Sequence, residues 1–149
     1  MNAMAITVES NTPDAAPDLL ETATVTIKEK WQGAVTKGSG FVAVPVALLR
    51  LQSKFDLTPT EMLVLINLLV HWWDPTRAVY PRSTTIAKRM GIDKRTVQRA
   101  TQKLERTGLL TRSVNEDGLR IFTFERLVEK LVRDLPSAYT IQAQETFGS

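Results

Sequence analysis

Residues 83–102, STTIAKRMGIDKRTVQRATQ, constrain this chain more than any other stretch. At helical period they spell two short helices around a tight turn. Ser83 or Thr84 is placed to cap the first helix, and Ile86 and Met90 are its apolar anchors. Ala87 is small enough to let a second helix cross closely. Gly91 suits the left-handed residue that ends such a helix, because a Cβ is disfavoured there. Ile92 fills the turn, and Asp93 can accept the free N–H groups that open the second helix. In that helix Val97, Ala100 and Leu104 share one face at i, i+3 and i+7. Lys94, Arg95, Gln98, Arg99 and Gln102 occupy the other, and Arg and Gln are the side chains that make paired hydrogen bonds to base edges.

Two amphipathic helices can be ordinary core packing, and a basic face can be merely solvated. The charge distribution favours more than that. Residues 1–27 carry four acids and no base, whereas residues 76–112 carry ten bases against Asp93 and Glu105. The formal net charge of the whole chain is only +3, so positive charge is concentrated on the helix pair and its flanks. That is the footprint of a phosphate-facing surface, and the pair reads as a helix-turn-helix directed at duplex DNA.

The 149 residues suffice for one ordinary domain with tails. The chain contains no cysteine and a single histidine, His71. No phosphate-binding glycine loop and no paired acids in a recognisable pocket accompany them. Enzymatic function, a metal site, a catalytic residue and a cofactor are therefore not expected. His71 reads as a structural histidine. No apolar run is long enough to span a bilayer and no secretory leader is visible, so a cytoplasmic protein with no membrane partner is expected.

In chain order, residues 1–22 read as a flexible acidic tail. Residues 23–30, ATVTIKEK, alternate with period two and predict a short strand, with Trp31 as a packing anchor near it. Residues 37–40 form a loop, residues 41–44 a second short strand, and Pro45 opens a helix reaching about Phe55. Thr58, Pro59 and Glu61 form a helix-start signature with a capping box. The helix they open is apolar around most of its circumference through Trp72-Trp73, which marks it as the central core helix. Residues 74–81 are a loop. Beyond Gly108, residues 109–114 and 119–124 flank the turn Asn115-Glu-Asp-Gly118 as a hairpin, in the position of a wing. Arg112 and Arg120 flank that hairpin and can reach phosphates, while its acidic tip, Glu116-Asp117, is poorly suited to do so. Residues 124–135 are a helix with an apolar stripe of Leu127, Val128, Leu131, Val132 and Leu135. This stripe either packs on its own domain or forms the seam of a homodimer. Residues 136–149 read as a C-terminal tail.

Three segments carry a resemblance: GFVAVPVALLRLQ (residues 40–52), LTPTEMLVLINLLVHWW (57–73) and YPRSTTIAKRMGIDKRTVQRATQKLERTGLLTR (80–112). Together with the hairpin and apolar helix, they resemble the small bacterial and phage winged helix-turn-helix domains related to the N-terminal domains of plasmid and phage replication initiators. The resemblance implies a mainly α (α+β) fold: a winged helix-turn-helix over residues 23–135, with a short N-terminal strand region and a C-terminal helix. It also implies sequence-specific binding of double-stranded DNA through the helix at 93–107. The DNA contacts it implies are Lys94, Arg95, Gln98, Arg99 and Gln102, with Ser83, Thr84 and Thr85 at phosphates; by side-chain chemistry Arg95 and Arg99 suit guanine O6/N7, and Gln98 or Gln102 adenine N6/N7. Charge adds Lys88 and Lys103 as phosphate contacts, with Arg112 and Arg120 from the hairpin. A transcriptional regulator is the favoured reading. A replication or partition accessory protein, or a winged-helix interaction module without DNA, are its alternatives.

Overall fold

The computed structural model describes residues 19–36, 38–72 and 82–148, with side chains from residue 25 onward. Most of the acidic tail, Trp73 and the loop at 74–81 lie outside the described residues. The chain divides into two units, Met1–Phe41 and Val42–Ser149.

In the first unit, helix α1 runs over Leu19–Trp31 and a single 3-10 turn follows at Gln32–Ala34. The strand expected at 23–30 is thus a helix. The segment also carries a helical series, Leu20, Thr24, Ile27 and Trp31, and among the described residues the only strands are the two of the hairpin, which pair with each other. Lys28 and Lys30 sit in the last turn, where the helix dipole favours positive charge. Trp31 is not the expected anchor, being 62% exposed.

The second unit begins with residues 42–44 in no regular structure, although Val42 and Val44 pack against the core. No second strand forms here, since the only sheet among the described residues is the hairpin. Helix α2 covers Val46–Arg50, with Pro45 just outside it as the N-cap. A turn then carries Leu51 and Phe55 inward.

Helix α3, Pro59–Leu69, starts as its sequence dictates. The Glu61 N–H donates to Thr58 Oγ1 at 3.2 Å, and the Thr58 N–H donates to Glu61 Oε1 at 2.8 Å. Two orphan donors are satisfied reciprocally. Met62, Val64, Leu65, Leu68 and Leu69 are buried, whereas Leu63 faces out. Trp72 then lies 5.1 Å, centroid to centroid, from the ring of Phe124.

Helices α4, Ser83–Met90, and α5, Lys94–Arg106, cross through Ile86, Ala87, Val97 and Ala100, all buried. Gly91 ends α4 at φ 66° and ψ 32°, and the Ile92 N–H reaches back to the carbonyl of Ala87 at 3.1 Å. This six-to-one bond is the usual closure around a left-handed residue. Strands β1, Thr111–Val114, and β2, Arg120–Thr123, pair antiparallel with Thr111 opposite Thr123 and Val114 opposite Arg120. Asn115 organises the turn, its Oδ1 accepting the N–H groups of Asp117 and Leu119 at 3.0 and 2.9 Å.

Helix α6, Glu125–Arg133, leads through Asp134 into α7, Leu135–Phe147. The tail expected at 136–149 is therefore helical for most of its length. Pro136, which suggests a break, falls in the first turn of α7, where a missing N–H does no harm. Ala138 is buried, Ile141 packs on the core, and Glu145 Oε2 accepts from Nε of Arg50 at 2.8 Å. The core is thus a three-helix cluster closed by the hairpin and capped by α6 and α7.

Candidate nucleic-acid interface

Helix α5 is anchored at both ends before any partner is considered. At its start, Asp93 Oδ1 accepts the N–H of Thr96 at 2.9 Å and Oδ2 accepts its hydroxyl at 2.8 Å. These bonds hold the Asp93 carboxyl below its ordinary pKa. At its end, Gly108 takes φ 76°, and the Lys130 ammonium donates to the carbonyl of Thr107. Val97, Ala100, Thr101 and Leu104 are buried, so the rest of the helix is turned outward as a unit.

The outward face carries Lys94, Arg95, Gln98, Arg99 and Gln102, all exposed. Arg95, Gln102 and Arg106 are spaced along one stripe, with Gln98 to one side and Arg99 to the other. Gln98 and Gln102 line a cleft of about 780 Å³ between α5, the start of α4 and the hairpin. Ser83, Arg112 and Arg120 line the same cleft, together with Arg82. Five residues expected at DNA from three separated segments therefore converge on one concavity.

Each cleft residue is held differently. Arg112 donates to Glu105, with 2.7 Å between NH2 and Oε1, and its guanidinium stacks 5.2 Å from the centroid of Phe122. Part of its charge is spent inside the protein, but its position at the cleft is fixed. Arg120 is exposed on β2. Ser83 is the first helical residue of α4, so the capping role expected of it or Thr84 is not taken; Arg82 is the N-cap and supplies no side-chain bond. Thr84, Thr85 and Lys88 are exposed on α4. The first N–H groups of a helix lack intrahelical acceptors, which suits them to an anion.

Lys103 is employed elsewhere. Its ammonium lies 2.9 Å from Glu61 Oε1 and 2.8 Å from the carbonyl oxygen of Asp56, tying α5 to the start of α3. Its side chain stays partly exposed, but its ammonium is already shared among these oxygens. Arg82 and Arg106 are basic residues of this surface that the sequence reading did not single out. Arg106 is legible as the residue four beyond Gln102 on the exposed stripe.

The stripe on α6 is split. Leu127 and Leu131 are buried and Leu135 is half-buried, while Val128 and Val132 are 43% and 61% exposed. His71 sits at the end of α3 with Nε2 3.2 Å from NH1 of Arg89. Burial, and then the Arg89 charge, hold its pKa below the ordinary value.

With this geometry established, residues 56–110 match the family model of a helix-turn-helix domain. The match spans α3, α4 and α5 and stops where β1 begins. Among solved structures, the N-terminal domain of the DnaD protein from Geobacillus kaustophilus HTA426 superposes with a TM-score of 0.53 at 22% identity. The alignment covers 87% of this chain and 97% of that one, and it shows a shared winged-helix fold. A possible transcriptional regulator from Methanosarcina mazei Go1 has a TM-score of 0.43 at 18% identity, covering 66% of this chain and 83% of its own. A mutant of MepR from S. aureus, bound to an oligodeoxyribonucleotide, has 0.45 at 20%, covering 88% and 80%. No curated protein matches the sequence. Among the described residues, no helix of this winged helix-turn-helix protein is long and apolar enough to cross a membrane.

Proposed function

We propose that this chain is a sequence-specific double-stranded DNA-binding protein of a prokaryote or mobile element, acting as a transcriptional regulator in the cytoplasm. The observation that carries the reading is the outward face of α5, basic and Gln-rich, set beside a cleft that gathers Ser83, Arg112 and Arg120.

An α-helix with side chains is about 10–12 Å across and the major groove about 12 Å wide, so α5 is the element that enters. Arg95 faces guanine O6/N7 and Gln98 and Gln102 face adenine N6/N7, each good pair being worth roughly 1–3 kcal/mol of discrimination. Ser83, Thr84 and Thr85, with the open start of α4, take a phosphate and set register without reading sequence. Arg120, Arg112 and Lys88 add backbone contacts. The protein acts as a homodimer joined through the exposed residues of α6, Val128 and Val132, so that two reading helices address a two-fold repeated site.

Selection from a randomised duplex pool at two salt concentrations tests this. An enriched motif, palindromic with half-sites about 10 base pairs apart, is expected. Uniform binding that falls steeply with salt favours the second reading, a replication or partition accessory protein, which the sequence resemblance to replication-initiator domains supports. Absence of binding at both salts overturns both.

A further inference from the structure

The side of α5 away from the wing cleft forms a second concavity. It lies between α5 and the start of α3 and is lined by Thr58, Thr60, Arg99 and Arg106, among others. We propose that this groove holds backbone phosphates of the DNA strand opposite the one that faces the wing cleft, with Arg99 and Arg106 as the contacts and Thr60 as a neutral donor. The inference rests on the DNA-binding reading above and deepens it.

Glu61 lines this groove and Asp56 lies beside it, against Lys103, and both would repel a phosphate if left alone. Both are engaged by Lys103, whose ammonium is 2.9 Å from Glu61 Oε1 and 3.5 Å from Asp56 Oδ2. Glu61 is further held by the capping box with Thr58. Arg99 and Arg106 are exposed and enter no ion pair among the described residues, so the groove keeps a net positive charge. Lys103 therefore contributes to DNA binding indirectly, by offsetting one of the two acid charges so that Arg99 and Arg106 prevail. The start of α3 is already capped, so the anion is held by the arginines rather than by the helix dipole.

Arg99 and Arg106 are seven residues apart, about 10 Å along the helix and nearly on one line. A helix lying in the major groove has a phosphate strand along each flank. On one flank of α5 stand Ser83, Arg112 and Arg120; on the other stand Thr60, Arg99 and Arg106. The domain would then straddle the groove rather than lean on one strand, which fixes the depth and tilt at which Arg95 and Gln102 meet the bases.

The test uses the 149-residue chain and the duplex enriched by selection, beside a scrambled duplex of the same length. Arg106→Gln is expected to weaken both duplexes by the same factor and to lower the slope of log K against log salt by about 1 for each protomer bound, about 2 for the dimer, with an unchanged circular dichroism spectrum. On the wild-type protein, neutral methylphosphonates placed one at a time within a single half-site should weaken binding on both strands, and the one that faces Arg106 should cease to matter in Arg106→Gln. An unchanged slope, a loss confined to the enriched duplex, or methylphosphonate sensitivity on one strand alone overturns the proposal while leaving DNA binding intact. Failure of the wild-type chain to bind any duplex overturns the underlying reading instead.

Discussion

The ammonium of Lys103 lies 2.9 Å from Oε1 of Glu61, linking the last turn of α5 to the capping box that starts α3. Burial of Glu61 raises its pKa, but the Thr58 N–H, the Lys103 ammonium and the Thr58 hydroxyl together outweigh burial and leave it below the ordinary glutamate value. Glu61 thus closes the start of α3, and Lys103 ties α5 to it while offsetting local negative charge. Lys103→Met should lower the urea midpoint without changing the slope of the transition, because it strands a buried carboxylate. Adding Glu61→Gln should restore part of the loss, so the two changes should be clearly non-additive. A carboxyl with a depressed folded pKa contributes stability above its unfolded pKa and loses it as pH falls through the folded one. The non-additivity should therefore fade in acid and be full at neutral pH. Additive effects at pH 7 would deny that the pair matters.

Arg95 stands in the middle of the exposed face, with no ion pair among the described residues. Arg95→Ala should leave the thermal transition in place and relax preference at one base position, by roughly 1–3 kcal/mol of discrimination. Repeating the duplex selection with the variant reads this directly. An unchanged motif would assign the base reading to other residues.

What could be read from the sequence, and what could not, follows from how local each signal is. Gly91, Asp93, Thr58-Pro59 and the Asn115–Gly118 turn each act within five residues of chain, and the structure has each of them in its expected place. The signals that misled were those whose outcome depends on a distant partner. The alternation at 23–30 is strand-like only if another strand is available, and α1 forms instead. Residues 136–149 carry no strong apolar period of their own and read as a tail, yet α7 forms with Ala138 and Ile141 held against the core. Lys103 looked like its neighbours on α5 because nothing local reveals that Asp56 and Glu61 lie across from it.

Gly91 gives a test of backbone conformation alone. No heavy atom other than its neighbours lies within 4 Å of where a Cβ would stand, so substitution meets no clash, only the left-handed φ of 66°. Gly91→Ala should destabilise the domain by roughly 1–2 kcal/mol, with Gly91→Asn less harmful because Asn tolerates that region. Urea unfolding of the two variants orders them. Equal stability of all three proteins would mean that the turn relaxes.

His71 sets an acid limit of a different kind from Glu61. Burial and the Arg89 guanidinium hold its folded pKa below the ordinary 6.5. Below that unfolded value the unfolded chain binds more protons than the folded one, so stability falls as pH drops from 7 toward the folded pKa. The urea midpoint should decline over this interval in the wild type and decline less in His71→Asn. Parallel declines would place the titrating group elsewhere.

The split stripe on α6 separates a core role from an assembly role. Leu127, 3% exposed, should behave as core, and Leu127→Ala should destabilise the domain by about 2–5 kcal/mol. Val132, 61% exposed, has nothing to lose inside its own domain. Val132→Glu should leave the circular dichroism spectrum unchanged and shift sedimentation from dimer to monomer, because it places a charge in an apolar seam. It should also weaken a two-fold operator far more than a single half-site, since joining two reading heads multiplies their effective concentration. A wild-type chain that sediments as a monomer at every concentration, and binds half-site and palindrome alike, would show that α6 closes the core and assembles nothing.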